Sequence, residues 1–156
     1  IRVPEARQEH GRDYARAARS GVITAVDTNI LLDVFGADAK FGKPSSTALR
    51  RCFADGALVA CEVVWAETAA VFPDEPGLLE AMKTLGIGFS PITFQTALQA
   101  GVTWRKYRKA GGKRARVVAD FRIGAHAASQ CDRLLTRDRG FYGTYFSGLK
   151  VLDPSA

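Results

Sequence analysis

Apolar and polar positions along the chain switch between a period of two and a period near 3.6, and the switches predict short strands alternating with helices. Residues 22–26 form a short run rich in β-branched side chains, followed by Asp27-Thr28-Asn29 and then by the apolar Ile30-Leu31-Leu32 of a helix start. Ser45 and Ser46 are placed to cap a helix through Arg50 to Phe53, ended by Asp55-Gly56, and residues 57–60 read as a second strand. Helical spacing from Glu62 onward stops at Pro73, a further helix over residues 76–85 closes at Gly86, and residues 87–92 read as a third strand. Thr93 is a cap for a long helix running through Leu98, Val102 and Tyr107 to Gly111-Gly112. The next helix begins near Val117, carries Val118, Phe121, Ile123, Ala125 and Ala128 as its apolar positions, and ends about Cys131. Residues 133–136 predict a short buried strand leading to Asp138, Gly140 a tight turn, and residues 149–152 a last strand before Asp153-Pro154.

Such alternation implies an α/β fold in which a short parallel sheet is covered by helices on both faces and places its site at the carboxyl ends of the strands. Asp27 and Asp138 both fall at strand ends, so the sheet would bring together two carboxylates that lie far apart in the chain. The pattern divides the chain into a polar extension, residues 1–21, and one domain, residues 22–156. In the extension Arg2, Arg7, Arg12, Arg16 and Arg19 face Glu5, Glu9 and Asp13 with spacing that suits a surface helix, and few large apolar groups are present.

Composition narrows the class. A length of 156 residues with 47% hydrophobic and 24% charged content suits a single domain with a sizeable core. No apolar run approaches the roughly 20 residues of a membrane span, and the first residues are charged, so a cytoplasmic protein without membrane contact is the expectation. Cys52, Cys61 and Cys131 form no C-x-x-C pair and read as reduced core thiols. The formal charge of +6 and pI near 9.5 suit a polyanionic partner. The positive charge is also clustered: Arg105, Lys106, Arg108, Lys109, Lys113, Arg114 and Arg116 occupy seven of the twelve positions from 105 to 116. This stretch is a candidate phosphate-binding surface, with Trp104 or Tyr107 as a stacking platform. Gly111-Gly112-Lys113 lacks the spacing and the following Ser or Thr of a P-loop, so nucleotide hydrolysis is not favoured.

Two further carboxylates stand out. Glu67 lies among Val63, Val64, Ala66, Ala69, Ala70 and Val71, and Asp120 among Val117, Val118, Phe121 and Ile123. An acidic side chain in an apolar helical surround is costly unless a counter-charge or the helix edge relieves it. Taken singly, each has a plainer reading: Asp27 as a helix cap, Asp138 as an Asx turn into Gly140, Glu67 and Asp120 on solvated flanks. Taken together, four converging carboxylates would repel unless cations joined them, and an all-oxygen donor set favours Mg2+ or Mn2+ over Zn2+.

The segments Val-Asp-Thr-Asn-Ile-Leu-Leu (26–32), the mid-chain Glu67 in Val-Val-Trp-Ala-Glu-Thr, Ala-Asp-Phe-Arg-Ile-Gly-Ala-His-Ala (119–127) and Leu-Leu-Thr-Arg-Asp-Arg-Gly-Phe-Tyr (134–142) resemble, in this order, the PIN domain. The branch they resemble most is that of the VapC-type toxins, over about residues 22–153. The resemblance implies a three-layer α/β/α fold and a single-strand-selective endoribonuclease requiring Mg2+ or Mn2+, usually homodimeric and neutralised by a cognate antitoxin. Its RNA would be single-stranded or a structured loop. By position, Asp27, Glu67, Asp120 and Asp138 match the family's acidic quartet, and Asn29 and Thr136 match polar positions that support it. Glu62 is an alternative to Glu67. The extension before Val22 departs from the family pattern.

The chemistry implied is hydrolysis of an RNA phosphodiester by metal-activated water, leaving 5′-phosphate and 3′-hydroxyl ends. No side-chain nucleophile stands out, and the two histidines, His10 and His126, do not make a convincing acid–base pair; His126 reads as structural. A catalytically inactive PIN-like module that binds RNA or protein is the alternative. A phosphotransfer domain with Asp27 as acceptor fits less well, because neither the acidic pair nor the lysine of such sites is in place.

Overall fold

The computed structural model describes residues 21–113 and 118–156. Residues 1–20 of the polar extension and the positions Arg114, Arg116 and Val117 therefore lie outside the described residues. Five strands, β1 (Val22–Val26), β2 (Gly56–Ala60), β3 (Ile87–Phe89), β4 (Arg133–Leu135) and β5 (Val151–Leu152), form one sheet in the order β3-β2-β1-β4-β5, with every neighbouring pair parallel. The helices are α1 (Thr28–Phe35), α2 (Gly42–Asp55), α3 (Glu62–Ala69), α4 (Glu75–Thr84), α5 (Phe94–Lys109), α6 (Val118–Gln130) and α7 (Arg139–Tyr145). They cover the sheet in a three-layer α/β/α arrangement.

The strands are short and almost wholly buried, as a parallel sheet sandwiched between helices requires. Leu58, Val59 and Ala60 of β2 and Leu134 and Leu135 of β4 are at most 2% exposed and form the floor of the core with Ile30, Leu31, Phe121 and Ile123. From the central strand β1 the chain winds outward to β2 and β3, then returns to the other side of β1 for β4 and β5. In open parallel sheets such a reversal sets a crevice beyond the carboxyl ends of the two strands that flank it, here β1 and β4. Asp27 N continues the β1–β4 ladder by donating to Leu135 O (3.0 Å), so Asp27 lies at the lip of that crevice.

Several boundaries follow from capping as the sequence predicts. Asp27 caps α1 with its carboxylate accepting from Thr28 N (2.7 Å), and Thr93 caps α5 with its hydroxyl accepting from Thr96 N (3.2 Å). Gly86 turns the chain out of α4 with φ of +69°, a conformation open to glycine at little cost. Others differ. Ser45 and Ser46 are not caps: α2 starts at Gly42, with Pro44 tolerated in its first turn, because Asp38 accepts from Phe41 N (2.7 Å) and shapes the entry. Ser45 instead donates to the buried Asp33 (2.7 Å). The third strand stops at Phe89, after which Pro91 has no donor to extend a ladder.

The tight turn expected at Gly140 is replaced by α7. Asp138 is its N-cap, not an Asx turn, and the helix buries Phe141 and Tyr142. An aromatic cluster then knits α5, α6 and α7: the Phe121 ring lies 5.3 Å from Tyr107, 5.2 Å from Phe141 and 6.3 Å from Tyr145. Packing against Phe121 holds a helix whose two glycines, Gly140 and Gly143, give it little intrinsic propensity. Cys52 and Cys61 are buried free thiols, and Cys131 is half-buried and free. Among the described residues no helix is long and apolar enough to cross a membrane.

Candidate active site

The crevice is built outward from Asp27, which is 5% exposed at the start of α1. One of its oxygens takes the Thr28 N–H. The other accepts from Thr136 Oγ1 (2.7 Å) and Asn29 Nδ2 (2.9 Å). Thr136, the residue after β4, is fully buried, and its hydroxyl also accepts from Asp138 N (3.0 Å) and Asn29 Nδ2 (3.2 Å). Asn29 Oδ1 in turn accepts from Arg137 N (3.2 Å). A closed set of hydrogen bonds thus joins the ends of β1 and β4 and fixes Asp27, Asn29, Thr136 and Asp138 relative to one another.

Burial, acting with the nearby charges of Asp120 and Glu67, pushes the Asp27 carboxyl up to about 6, although Thr136 and the Thr28 amide favour its ionised form. The same interactions place Asp120 and Glu67 in the electrostatic neighbourhood of Asp27. Asp120 lies in the first turn of α6, which packs over β1 and β4 and against α3. Glu67 comes from α3, where it accepts a hydrogen bond from the Thr28 hydroxyl. Asp138 reaches the crevice as the cap of α7, accepting from Phe141 N (3.4 Å). Burial holds the Tyr142 phenol protonated, and the nearby charges of Asp27, Asp120 and Asp138 add to the effect.

The surroundings of two acidic residues differ from the sequence expectation. Glu67 is exposed, and so are Ala66, Ala69 and Ala70, because α3 is short and turns these small residues outward at the edge of the crevice. Asp120 is half-buried. Relief by the helix edge therefore serves both. Glu62 plays a separate part. It bonds Arg122 and accepts from Ile92 N (3.0 Å), tying α3 to α6 and to the segment before α5.

The donor set is entirely oxygen, as hard divalent cations prefer. Asp27 is a desolvated carboxyl group beside two others, which is the electrostatic condition a cation relieves. Among the described residues no three acidic, histidine or cysteine side chains are gathered ready-made around one point. Asp27 and Glu67 direct oxygens to Thr28, Thr136 and Asn29, and the chemistry of the set fits a hard divalent cation.

The sequence did not single out Thr28, Tyr142 or the pair Arg137–Asp33. Thr28 is adjacent to Asp27 in the first turn of α1, which is the one local signal for its role. Arg137 lies between Thr136 and Asp138, yet it turns away from the crevice to grip buried Asp33 with two hydrogen bonds (2.9 and 3.0 Å) and to cover the Phe41 ring, 4.2 Å from its centroid. This pair locks α1 to the β4–α7 connection.

His126 is structural, as read from sequence: 1% exposed, it shares a hydrogen bond with Ser90 Oγ (2.9 Å). Burial lowers its pKa from 6.5 to about 4. A base whose folded value is depressed stabilises the neutral folded state above the unfolded value, and that stability is lost as pH falls through the folded value. His126→Gln is therefore expected to change its stability relative to wild type by about 3 kcal/mol between pH 7 and pH 4, in favour of the variant at pH 4. Urea unfolding at the two pH values measures this. Equal differences at both would show that His126 does not titrate on unfolding.

Arg105, Lys106, Arg108, Lys109 and Lys113 are exposed on α5 and just beyond it. Their charges at the end of α5 suit the helix dipole. Tyr107 is not the stacking platform the sequence suggested. It is 7% exposed, joins the aromatic cluster and donates its hydroxyl hydrogen to Lys113 O (2.8 Å). Trp104 is half-buried against Phe121 and carries Arg108 5.9 Å from its ring centroid.

The sequence model of the PIN domain matches residues 24–147, and the chain belongs to this family. The fold is shared with solved VapBC complexes. VapBC-1 from nontypeable Haemophilus influenzae matches with a TM-score of 0.66 and 19% identity, covering 86% of this chain and 99% of that one. VapBC2 from Rickettsia felis, solved bound to a promoter DNA fragment, matches at 0.65 and 13%, covering 84% and 98%. VapC20 from Mycobacterium tuberculosis, a toxin that cleaves the sarcin-ricin loop, matches at 0.56 and 15%, covering 81% and 98%. No curated protein matches the chain.

Proposed function

We propose that this chain is a divalent-metal-dependent, single-strand-selective endoribonuclease of the VapC toxin type, with Asp27, Glu67, Asp120 and Asp138 holding Mg2+ or Mn2+. The observation that carries the reading is Asp27: a carboxyl group at the carboxyl end of the central strand, held by three donors and raised by its burial, with a smaller contribution from Asp120 and Glu67. A structural carboxylate gains nothing from such neighbours, whereas a cation ligand does. The PIN family membership supports hydrolysis of nucleic acid, and the likeness to toxin–antitoxin complexes supports a cognate antitoxin; the reading includes a homodimer in the cytoplasm.

The chemistry that a divalent cation supplies when bound is activation of water and neutralisation of charge developing on the phosphodiester. The chain's own part is placement. Thr136 and Asn29 orient Asp27, Thr28 anchors Glu67, and the Asp138 backbone is fixed through Thr136, so little reorganisation is needed at the moment of reaction. Hydrolysis in this frame leaves 5′-phosphate and 3′-hydroxyl ends. The exposed cations of α5 and Lys113, with Arg114 and Arg116 beyond the described residues, attract the phosphates of single-stranded RNA or of a structured RNA loop.

The direct test incubates the protein with a single-stranded RNA and its duplex in Mn2+, beside Asp120→Asn. The expected result is cleavage of the single strand alone, lost in the variant and in chelator. Equal, metal-independent cleavage by wild type and variant would overturn the chemistry. RNA binding by wild type without cleavage would move the chain to the non-cutting class.

Charge reversal at Arg105 and Lys109 is expected to weaken RNA association about tenfold or more at low salt and to flatten its salt dependence, with Mn2+ binding retained. Fluorescence anisotropy across a salt series checks this. Unchanged affinity would remove these residues from the RNA-binding surface.

A further inference from the structure

We infer that Tyr142 is a positioning residue for the acidic crevice, its hydroxyl serving as a donor held in reserve for the Asp27 carboxylate when that carboxylate engages a cation. The inference rests on the proposed reading of Asp27 as a cation ligand. Tyr142 is 1% exposed, its ring clamped by Phe141 (5.0 Å between centroids) and Phe146 (6.2 Å). Its hydroxyl is buried and lies within reach of the Asp27 carboxylate, yet makes no hydrogen bond of standard geometry among the described residues. A buried hydroxyl without a bond is a cost that phenylalanine would avoid, and a core selected for packing alone has no use for the oxygen.

Position explains the oxygen. Tyr142 N donates to Asp138 O (3.4 Å), which puts Tyr142 one helical turn beyond the cap of α7 and on the same face as Asp138. The hydroxyl thereby enters the neighbourhood of Asp27, Asp120 and Asp138. Asp27 takes its present hydrogen bonds from Thr28, Asn29 and Thr136, which all lie on the sides of α1 and β4. Tyr142 approaches from α7 and brings a neutral dipole, which adds no repulsion to the cluster. A donor of this kind fixes which oxygen of a ligating carboxylate faces the cation, as outer-shell partners of metal ligands do.

Tyr142→Phe tests the inference through binding and stability, apart from turnover. Mn2+ affinity is measured by calorimetry and by the electron paramagnetic resonance signal of free Mn2+, with Asp27→Asn as the control, and unfolding is followed in metal-free buffer. The expected result is that Tyr142→Phe unfolds at or above the wild-type midpoint while binding Mn2+ about tenfold more weakly. Wild-type Mn2+ affinity in Tyr142→Phe, with binding still lost in Asp27→Asn, overturns the role of Tyr142 and leaves the cation site standing. Earlier unfolding of Tyr142→Phe shows that the hydroxyl serves the core and also overturns it. Failure of the wild type itself to bind Mn2+ removes both the cation site and the inference built on it.

Discussion

Replacing Asp27 by Asn is expected to yield a folded protein whose RNA cleavage falls by roughly 10²–10³-fold or more, the scale on which a reacting centre loses one electrostatic partner. Its stability moves the other way. The folded Asp27 carboxyl is raised from 3.8 to about 6, so between those values the folded protein keeps a proton that the unfolded chain releases. Stability contributed by that proton is present at low pH and lost as pH rises, and above about 6 the buried charge costs the fold on the order of 3 kcal/mol. Asn removes the charge and retains an acceptor for Thr28 N. The donors of Asn29 and Thr136 are then left facing the amide nitrogen, so the net gain at pH 7 is smaller. Urea unfolding in chelator at pH 7 and pH 4 reads the difference, which should shrink toward the lower pH. A variant less stable than wild type by the same amount at both values would show that Asp27 is a helix cap and little else.

Phe121→Ala is expected to be the most damaging change to the core, costing about 3–5 kcal/mol. The ring is fully buried and sits where Trp104 and Tyr107 of α5 meet Phe141 and Tyr145 of α7. The residue before it is Asp120, and α7 is capped by Asp138. Loss of the ring is therefore expected to loosen the helices that carry two of the four acidic positions, and cleavage should fall by more than the folded fraction accounts for. Thermal unfolding together with activity normalised to folded protein separates the two losses. A midpoint within a degree or two of wild type would mean that α5, α6 and α7 do not depend on this ring.

Much of this arrangement is legible in the chain because the signals are local. The β-branched run before Asp27, the caps at Asp27 and Thr93 and the turn at Gly86 each carry their own stereochemistry, and strand ends in a parallel sheet indicate where a site lies. What escaped the sequence is set at long range. Helix α7 contains Gly140 and Gly143, and the Asp138 cap together with the packing of Phe141 against Phe121 and Tyr142 holds it as a helix. Once it is one, Tyr142 falls a turn beyond Asp138; without it, the spacing carries no meaning. Ser45 has the composition of a cap but is drawn to Asp33, which itself waits for Arg137 about a hundred residues on. Glu67 has an apolar surround in the chain because valines and alanines flank it, whereas the edge of a short helix leaves those alanines in solvent. Tyr107 looked like a platform because its neighbours are basic, although its own ring faces the core.

The claim on which the rest depends is that Asp27, Asp120, Asp138 and Glu67 share a divalent cation. Anomalous scattering from a crystal soaked in Mn2+ tests it most directly. The account predicts a manganese peak in the crevice beyond β1 and β4, with Asp27 and at least one of Asp120 and Asp138 among its oxygen ligands and Glu67 turned toward it. Manganese bound elsewhere, or a crevice without a peak in crystals that bind Mn2+ at other sites, would contradict it.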